Sequence, residues 1–388
     1  MKNTEMCASK AQYDTSIVQT LEALQPYARQ WDELDRRSGL RLPHRSFVWL
    51  TAHLAHRLRS NESWLCVMVT CGGRLVGVLP VFHRRIRTAG LRHRIAYTPR
   101  DYFLKSIDFI AAPEDHQGAL PYAIAAVFRH LNGPLYFQFK QVAEDSPTMQ
   151  VAGQRLNEFL TASQFDEQGS YLDVSDGGEL LWSQVGGNLR RNLARWRKRM
   201  EREGRAETVE WISAGKGAEA LEVFMTMEAA GWKGRTGTPI VNTESQTSLF
   251  RQLNRELVDT GELQWWFLTL SGKPIAGAMA RRFADVLCIA KIAYDEQFAR
   301  LGPGNLLFED ILTYACQDPA INRVDLISDM AWHDRWKARK RRFYHVWFYP
   351  ANVRSTVLGY LPRRAYQLLR KRSPAPNTGN TGNDETHD

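Results

Sequence analysis

Cysteine is scarce in this sequence. Five thiols (Cys7, Cys66, Cys71, Cys288, Cys316) stand among 388 residues, an odd number with no C-x-x-C pair. Reduced thiols in a cytosolic protein fit that pattern best. No run of about 18 apolar residues occurs, so no membrane-spanning helix is expected. The opening residues, MKNTEMCASKAQYDTSIV, lack the apolar core of a signal peptide, and a cytoplasmic location follows as the expectation. Ten histidines show no H-x-x-x-H spacing, and His83, His93 and His333 are isolated, so no metal is expected. There is no Gly-x-Ser-x-Gly elbow, no Walker loop, and no helix-turn-helix, zinc or RNP pattern for specific nucleic-acid recognition.

Acidic residues are also in short supply. Forty-two Asp and Glu face 51 Lys and Arg, a net charge of +9. The partners this favours are nucleotides, phosphates, nucleic acid or an anionic membrane surface. What is present is an ordinary globular composition, 44% hydrophobic and 24% charged, long enough for two domains or one large one.

One pattern occurs twice. Residues 64–70 (WLCVMVT) and 75–83 (LVGVLPVFH) read as strands around the turn Cys71-Gly72-Gly73-Arg74. Residues 263–270, 274–283 and 286–294 read as a second meander, turning at Ser271-Gly272-Lys273. Each is followed by a helical stretch and a strand: 120–131 then 135–140, and 306–316 then 324–327. The division expected is a loose N-terminus (1–14), a first domain (15–175), a second domain (176–372) and a disordered tail (373–388), SPAPNTGNTGNDETHD, which has no large apolar side chain. A short strand at 171–174 marks the boundary. A single larger mixed sheet is the alternative.

The chemistry centres on residues 294–312, YDEQFARLGPGNLLFEDIL. A strand ends, two glycines and a proline follow, and a helix begins with Leu307, Ile311 and Ala315 on one face. A helix mouth carries unpaired N–H groups and partial positive charge, and glycines let an anion approach. Gly302, Gly304 and Asn305 suit a pyrophosphate, with Arg300 adding charge from the same loop. The same residues also suit a plain turn.

Strand, Gly-rich loop, helix and strand in this order resemble the GNAT superfamily of acyl-CoA N-acyltransferases. Arg300-Leu301-Gly302-Pro303-Gly304 resembles that family's pyrophosphate loop, with the Arg one residue closer than in the family's pattern. The match is better to the CelD-like branch associated with cellulose and exopolysaccharide biosynthesis. Tyr294-Asp295, Pro303-Gly304 and Leu306-Leu307 carry it, together with the helix opening Asn188-Leu189-Arg190-Arg191, Gly231-Trp232-Lys233-Gly234 and Arg335-Trp336-Lys337. The resemblance covers residues 186–349, and the first half looks like a weaker copy, as in two-domain FemABX-type transferases. It implies an α+β fold of two tandem GNAT-like domains, each a mixed, mostly antiparallel sheet flanked by helices. It also implies acetyl-CoA or another acyl-CoA as co-substrate, held by Ala293, Tyr294, Arg300, Gly302, Gly304, Asn305 and Leu306.

Glu228 and Asp329 are the carboxylate candidates for the general base that takes the acceptor's proton. Either also suits a cap or a salt bridge. Trp232, Lys233 and Trp332 are candidates for the acceptor pocket, with packing the alternative for the tryptophans. The acceptor expected is an amine on a small molecule or a cell-envelope or polysaccharide precursor. The alternatives are an aminoacyl-tRNA donor, as in FemABX relatives, or a non-catalytic binding scaffold.

Basic segments remain. Residues 188–205 carry eight basic residues around a stripe of Leu189, Leu193, Trp196 and Met200, which suits a packed helix with a solvated face or an anion groove. Residues 335–342 (RWKARKRR), Arg363-Arg364 and Arg370-Lys371-Arg372 suit solvated surface or a CoA phosphate, with nucleic acid or a peripheral contact with anionic lipid as the alternatives.

Overall fold

The computed structural model describes residues 12–40, 42–88, 90–100, 105, 107–154, 158–210, 216–231 and 240–372. The tail read at 373–388 lies outside them, and Tyr13 and Asp14, read as loose, open the first strand. The first half starts with β1 (Tyr13–Val18) and helices α1 (Ala28–Arg37) and α2 (Phe47–His56). The meander β2 (Ser63–Cys71), β3 (Arg74–Thr88) and β4 (Leu91–Tyr97) follows, with a two-residue β5 (Ile110–Ala111) beside β3. Helix α3 (Pro113–His130) crosses over and β6 (Phe137–Ala143) returns parallel to β4. Helix α4 (Pro147–Gly153) and the long strand β7 (Phe159–Asp173) close the half.

The second half repeats this order. Helix α5 (Gly187–Glu203) leads into β8 (Ala206–Glu210), α6 (Gly217–Ala230) and α7 (Glu244–Leu257). The meander β9 (Leu263–Leu270), β10 (Lys273–Phe283) and β11 (Val286–Tyr294) comes next, then the crossover α8 (Pro303–Gln317) and the parallel strand β12 (Arg323–Asp325). A 3-10 segment, Ala331–Trp336, stands where α4 stands in the first half, before β13 (Arg339–Pro350) and the final helix α9 (Leu361–Arg372).

The fold is α+β, a mixed and mostly antiparallel sheet with helices on both faces. All but β5 lie in one sequence of the 13-stranded sheet, β1-β2-β3-β4-β6-β13-β7-β12-β11-β10-β9-β8. The last strand of each half has changed sides. β13 lies between β6 and β7, and β7 pairs with β12. The sheet is therefore continuous across residue 175, and the halves cannot part without unzipping strands.

Local chemistry explains the elements. Gly72 and Gly73 (φ +56° and +78°) and Ser271 and Gly272 (φ +50° and +82°) form two-residue hairpin turns with both central residues left-handed, the geometry that matches strand twist. The apolar runs are continuous because both faces are covered. In β2, Cys66 and Met68 point to α1 and α2 while Leu65, Val67 and Val69 point to α3. In β9, Trp265 and Phe267 join the α6 and α7 side while Trp266, Leu268 and Leu270 join the α5 and α8 side. The cluster holding Trp31, Phe47 and Leu50 of the first half runs on into Phe224, Phe250 and Leu253 of the second, so one core spans the junction.

Three expectations need correction. The helix read at 120–131 starts seven residues earlier, at Pro113, which takes the first helical position where a missing N–H costs nothing. The short strand read at 171–174 is the end of β7. The basic segment 335–342 is surface only in part: Arg335, Lys337, Arg339 and Arg342 are exposed, whereas Arg341 is buried. It ends the 3-10 segment and starts β13, where buried Arg341 lies 5.5 Å over the Tyr171 ring and Arg339 pairs with Asp173 at 3.0 Å.

Candidate active site

Strands β11 and β12 diverge. They pair in parallel only at Val286–Arg323, Leu287–Val324 and Cys288–Asp325. Beyond that point β12 stops and β11 runs on to Tyr294. The register between β10 and β11 slips at Ala290, between Met279–Lys291 and Ala280–Ile289, a bulge that bends β11 as it leaves its neighbour. Past Cys288, β11 thus runs on beyond its pairing with β12, and the two strands open at their carboxyl ends, where α/β sheets hold ligands.

Under this edge sits Lys291, the one charge in VLCIAKIAY. It is buried, and its Nζ lies 2.9 Å from Glu228 Oε1 on α6. The Ile240 N–H donates to Glu228 Oε2 at 2.8 Å. Both oxygens of Glu228 are engaged and its side chain is shut off from water.

Beyond Tyr294 the chain makes a 3-10 turn, Glu296–Leu301, capped by Asp295 Oδ1 accepting from the Gln297 N–H at 3.0 Å. Gly302 ends that turn and begins α8 with φ +62°, a left-handed conformation that excludes most side chains. A Cβ there would meet Trp196 Cδ2 of α5 at 2.4 Å. The bare side of Gly302 is therefore taken up by an indole. Asn305 and Leu306 donate to the Gly302 carbonyl at 3.0 and 3.1 Å, and Pro303 has no N–H. Gly304 is half-buried, and its Cβ position lies 3.2 Å from the Tyr294 ring. Arg300, 70% exposed in its side chain, pairs with Glu203 of α5 at 2.9 Å.

Helix α5 clamps α8 in place. Leu189, Leu193 and Met200 are buried beneath it, as their spacing predicts. Arg197 Nε donates to Glu309 Oε2 at 3.0 Å and Arg197 also binds Asp310, which accepts from Thr208 at 2.6 Å. A groove of about 640 Å³ runs beside this contact, with Trp182, Arg190 and Arg197 on its walls.

On the β12 side, Asp325 Oδ1 accepts from the Ile327 N–H at 2.7 Å, and burial pushes its carboxyl up. Asp325, Ile327 and buried Cys288 face Leu42 and Glu167 of the first half around a cavity of about 20 Å³, room for roughly one water. Asp329 follows, accepting from Ser170 Oγ at 2.9 Å and from Lys340, whose Nζ also lies 2.7 Å from Asp334. His333 is buried. Its Nδ1 accepts from the Met330 N–H at 3.2 Å, and burial with the nearby Lys340 charge pushes the imidazole down to about 4. Trp332 meets Phe308 of α8 edge-on at 5.1 Å and His333 at 4.2 Å.

The structure brings Tyr294, Gly302, Gly304, Asn305 and Leu306 together at the mouth of α8, with Ala293 on the strand that leads in. Glu228 lies beneath β11. Asp329 and Trp332 lie past the end of β12. Trp232 and Lys233 lie outside the described residues. Lys291, Asp325 and Lys340 were not among the site residues expected from the sequence, and Trp196 was read only as part of the apolar stripe of α5. For Lys291 a signal existed, since a lone charge inside a buried strand demands a partner.

Residues 187–338 match the family model described as an acetyltransferase (GNAT) domain. The chain is similar to the solved structure described as FemX, with a TM-score of 0.61, 11% identity, and coverage of 91% of this chain and 99% of that one. It is also similar to a conserved protein of unknown function from Bacteroides thetaiotaomicron VPI-5482, with a TM-score of 0.55, 11% identity, and coverage of 87% and 100%. At such identities the likeness is one of fold. No curated protein matches the chain. The second half thus carries a GNAT acetyltransferase-like domain, in agreement with the resemblance drawn at 186–349. No helix among the described residues is long and apolar enough to cross a membrane.

Proposed function

We propose that the protein is an acyl-CoA-dependent N-acyltransferase of the CelD-like kind, acting on an amine of a cell-envelope or polysaccharide precursor. The observation that carries this reading is the opening between β11 and β12, at the end of which Tyr294 packs against Gly304 at the mouth of α8. The pantetheine arm lies in the opening where β11 and β12 diverge, and the pyrophosphate meets Gly304 and Asn305 with Arg300 near by. The backbone N–H of Tyr294, on the side of β11 away from β10, holds the thioester oxygen as charge builds on it, with Ala293 beside it on the strand. The acceptor amine attacks the carbonyl carbon directly, the C–S bond breaks, and CoA leaves as the thiolate. Asp329, partly exposed past the end of β12, takes the amine's proton. Glu228, with both oxygens engaged, braces the bulged strand.

The test is binding. A ligand that binds only the folded protein raises its melting temperature. Acetyl-CoA and free CoA are expected to do so for the wild type and not for Gly304→Asp. No shift with any acyl-CoA sinks the donor assignment. The second reading, an aminoacyl-tRNA donor, draws support from the whole-chain likeness in fold to FemX and from the basic balance. Retention of aminoacyl-tRNA on a filter without any CoA shift would favour it.

A further inference from the structure

Helix α9 is turned inside out. At 100° per residue, Leu361, Ala365, Leu368 and Leu369 fall within an arc of roughly 100°. Arg363 and Gln367 lie on the opposite side, and it is these two that meet the protein. The Arg363 guanidinium sits 4.0 Å over the Trp347 ring, and Gln367 Nε2 donates to the Ser163 carbonyl at 3.0 Å. The leucine stripe faces outward, with Leu361, Leu368 and Leu369 exposed by 52, 60 and 66%. Val353 and Val357, in the turns just before the helix, extend it at 82 and 52%. Residues 361–372 hold five Arg or Lys and no acidic residue.

A packed surface helix does the reverse, burying its apolar stripe and exposing its charges. An outward apolar stripe on a segment rich in Arg and Lys and free of acidic residues fits a bilayer whose acyl boundary takes the leucines and whose phosphates take the cations. We propose that α9 and the turns leading into it dock this protein on an anionic lipid membrane, lying in the plane of the headgroups without crossing. Nucleic acid would answer the charges and leave the leucines in water. The chain's own tail, residues 373–388, has no large apolar side chain to cover the stripe. The inference stands apart from the acyltransferase reading, since it uses none of the same residues.

The experiment is co-sedimentation of the full chain with phosphatidylcholine vesicles, with and without phosphatidylglycerol. Leu368→Glu/Leu369→Glu is the key variant. Both side chains point to solvent, so folding is retained, which circular dichroism and the melting temperature confirm. Wild type is expected to pellet with anionic vesicles, with affinity about tenfold or more lower on neutral vesicles and about tenfold or more lower for the variant. Three results would overturn the proposal. One is no pelleting with anionic vesicles. Another is equal pelleting of wild type and variant. The third is a dimer in light scattering that the variant dissolves while vesicle affinity stays unchanged, which makes the stripe a contact between copies.

Discussion

Lys291 Nζ and Glu228 Oε1 meet at 2.9 Å beneath the bulged end of β11, with both side chains buried. Removing one member of such a pair leaves the other charge stranded in low dielectric, a loss of about 3–5 kcal/mol. Lys291→Met is therefore expected to destabilise the protein by that amount in urea unfolding. Lys291→Met/Glu228→Leu is expected to be more stable than Lys291→Met alone. Loss of turnover in Glu228→Gln at unchanged stability would instead make Glu228 part of the chemistry.

Trp196 and Gly302 form a second pair that decides the shape of the site. Gly302→Ala places a Cβ in a left-handed backbone and against the indole at 2.4 Å. The backbone term alone costs about 1–2 kcal/mol. Trp196→Ala removes the collision but not the backbone strain. A double-mutant cycle on unfolding free energy is expected to give a coupling of about 1 kcal/mol or more between the two. Additive effects would mean that the helix start simply shifts to make room.

Acid should loosen the protein in a defined window. Burial pushes the imidazole of His116, whose Nε2 lies 2.9 Å from Thr148 Oγ1, down to about 4, as it does for His333. Both stay neutral in the native state while the unfolded chain takes up their protons below about pH 6.5. Unfolded chains then bind more protons, so stability is complete above pH 6.5 and falls as pH drops toward 4. Each group contributes a slope of at most about 1.4 kcal/mol per pH unit. Urea unfolding between pH 7.5 and 4.5 should show that slope reduced in His116→Gln. An unchanged slope would assign the acid sensitivity to other groups.

Much of this fold could be read from the chain because its signals are local. The apolar runs at 64–70 and 263–270 and the glycines between paired strands announce the meanders, and Leu189, Leu193 and Met200 announce α5. The exchange of β7 and β13 left no such mark, since pairing at a distance of some 170 residues, as between Lys340 and Ser170, has no local spacing to betray it. In the basic run 335–342, Arg335, Lys337, Arg339 and Arg342 are exposed as a solvated surface requires, but local spacing could not name the run's acidic partners. Its charges answer Asp173, Asp329 and Asp334, two of them close in sequence and one far away. At the site, the glycine loop was legible and the indole laid against it was not.

Asp329 is the residue on which the proposed chemistry turns. Its Oδ1 accepts from Ser170 at 2.9 Å and binds Lys340, and it stays open to solvent on one side. Asparagine keeps the shape and can still accept from Ser170, but it cannot take a proton at neutral pH. If Asp329 is the base, Asp329→Asn should lower kcat by about 10²–10⁴-fold. The melting-temperature rise with acetyl-CoA should persist, because the donor's contacts lie on β11 and α8. The Lys340 pair is partly exposed, so its loss should cost no more than about 1 kcal/mol of stability. Lys340→Met breaks the same ion pair while leaving the carboxylate in place, and it separates the two roles. A fall in kcat for Asp329→Asn that Lys340→Met reproduces in full would mean that the ion pair positions the loop. A fall confined to Asp329→Asn would mean that the carboxylate moves the proton.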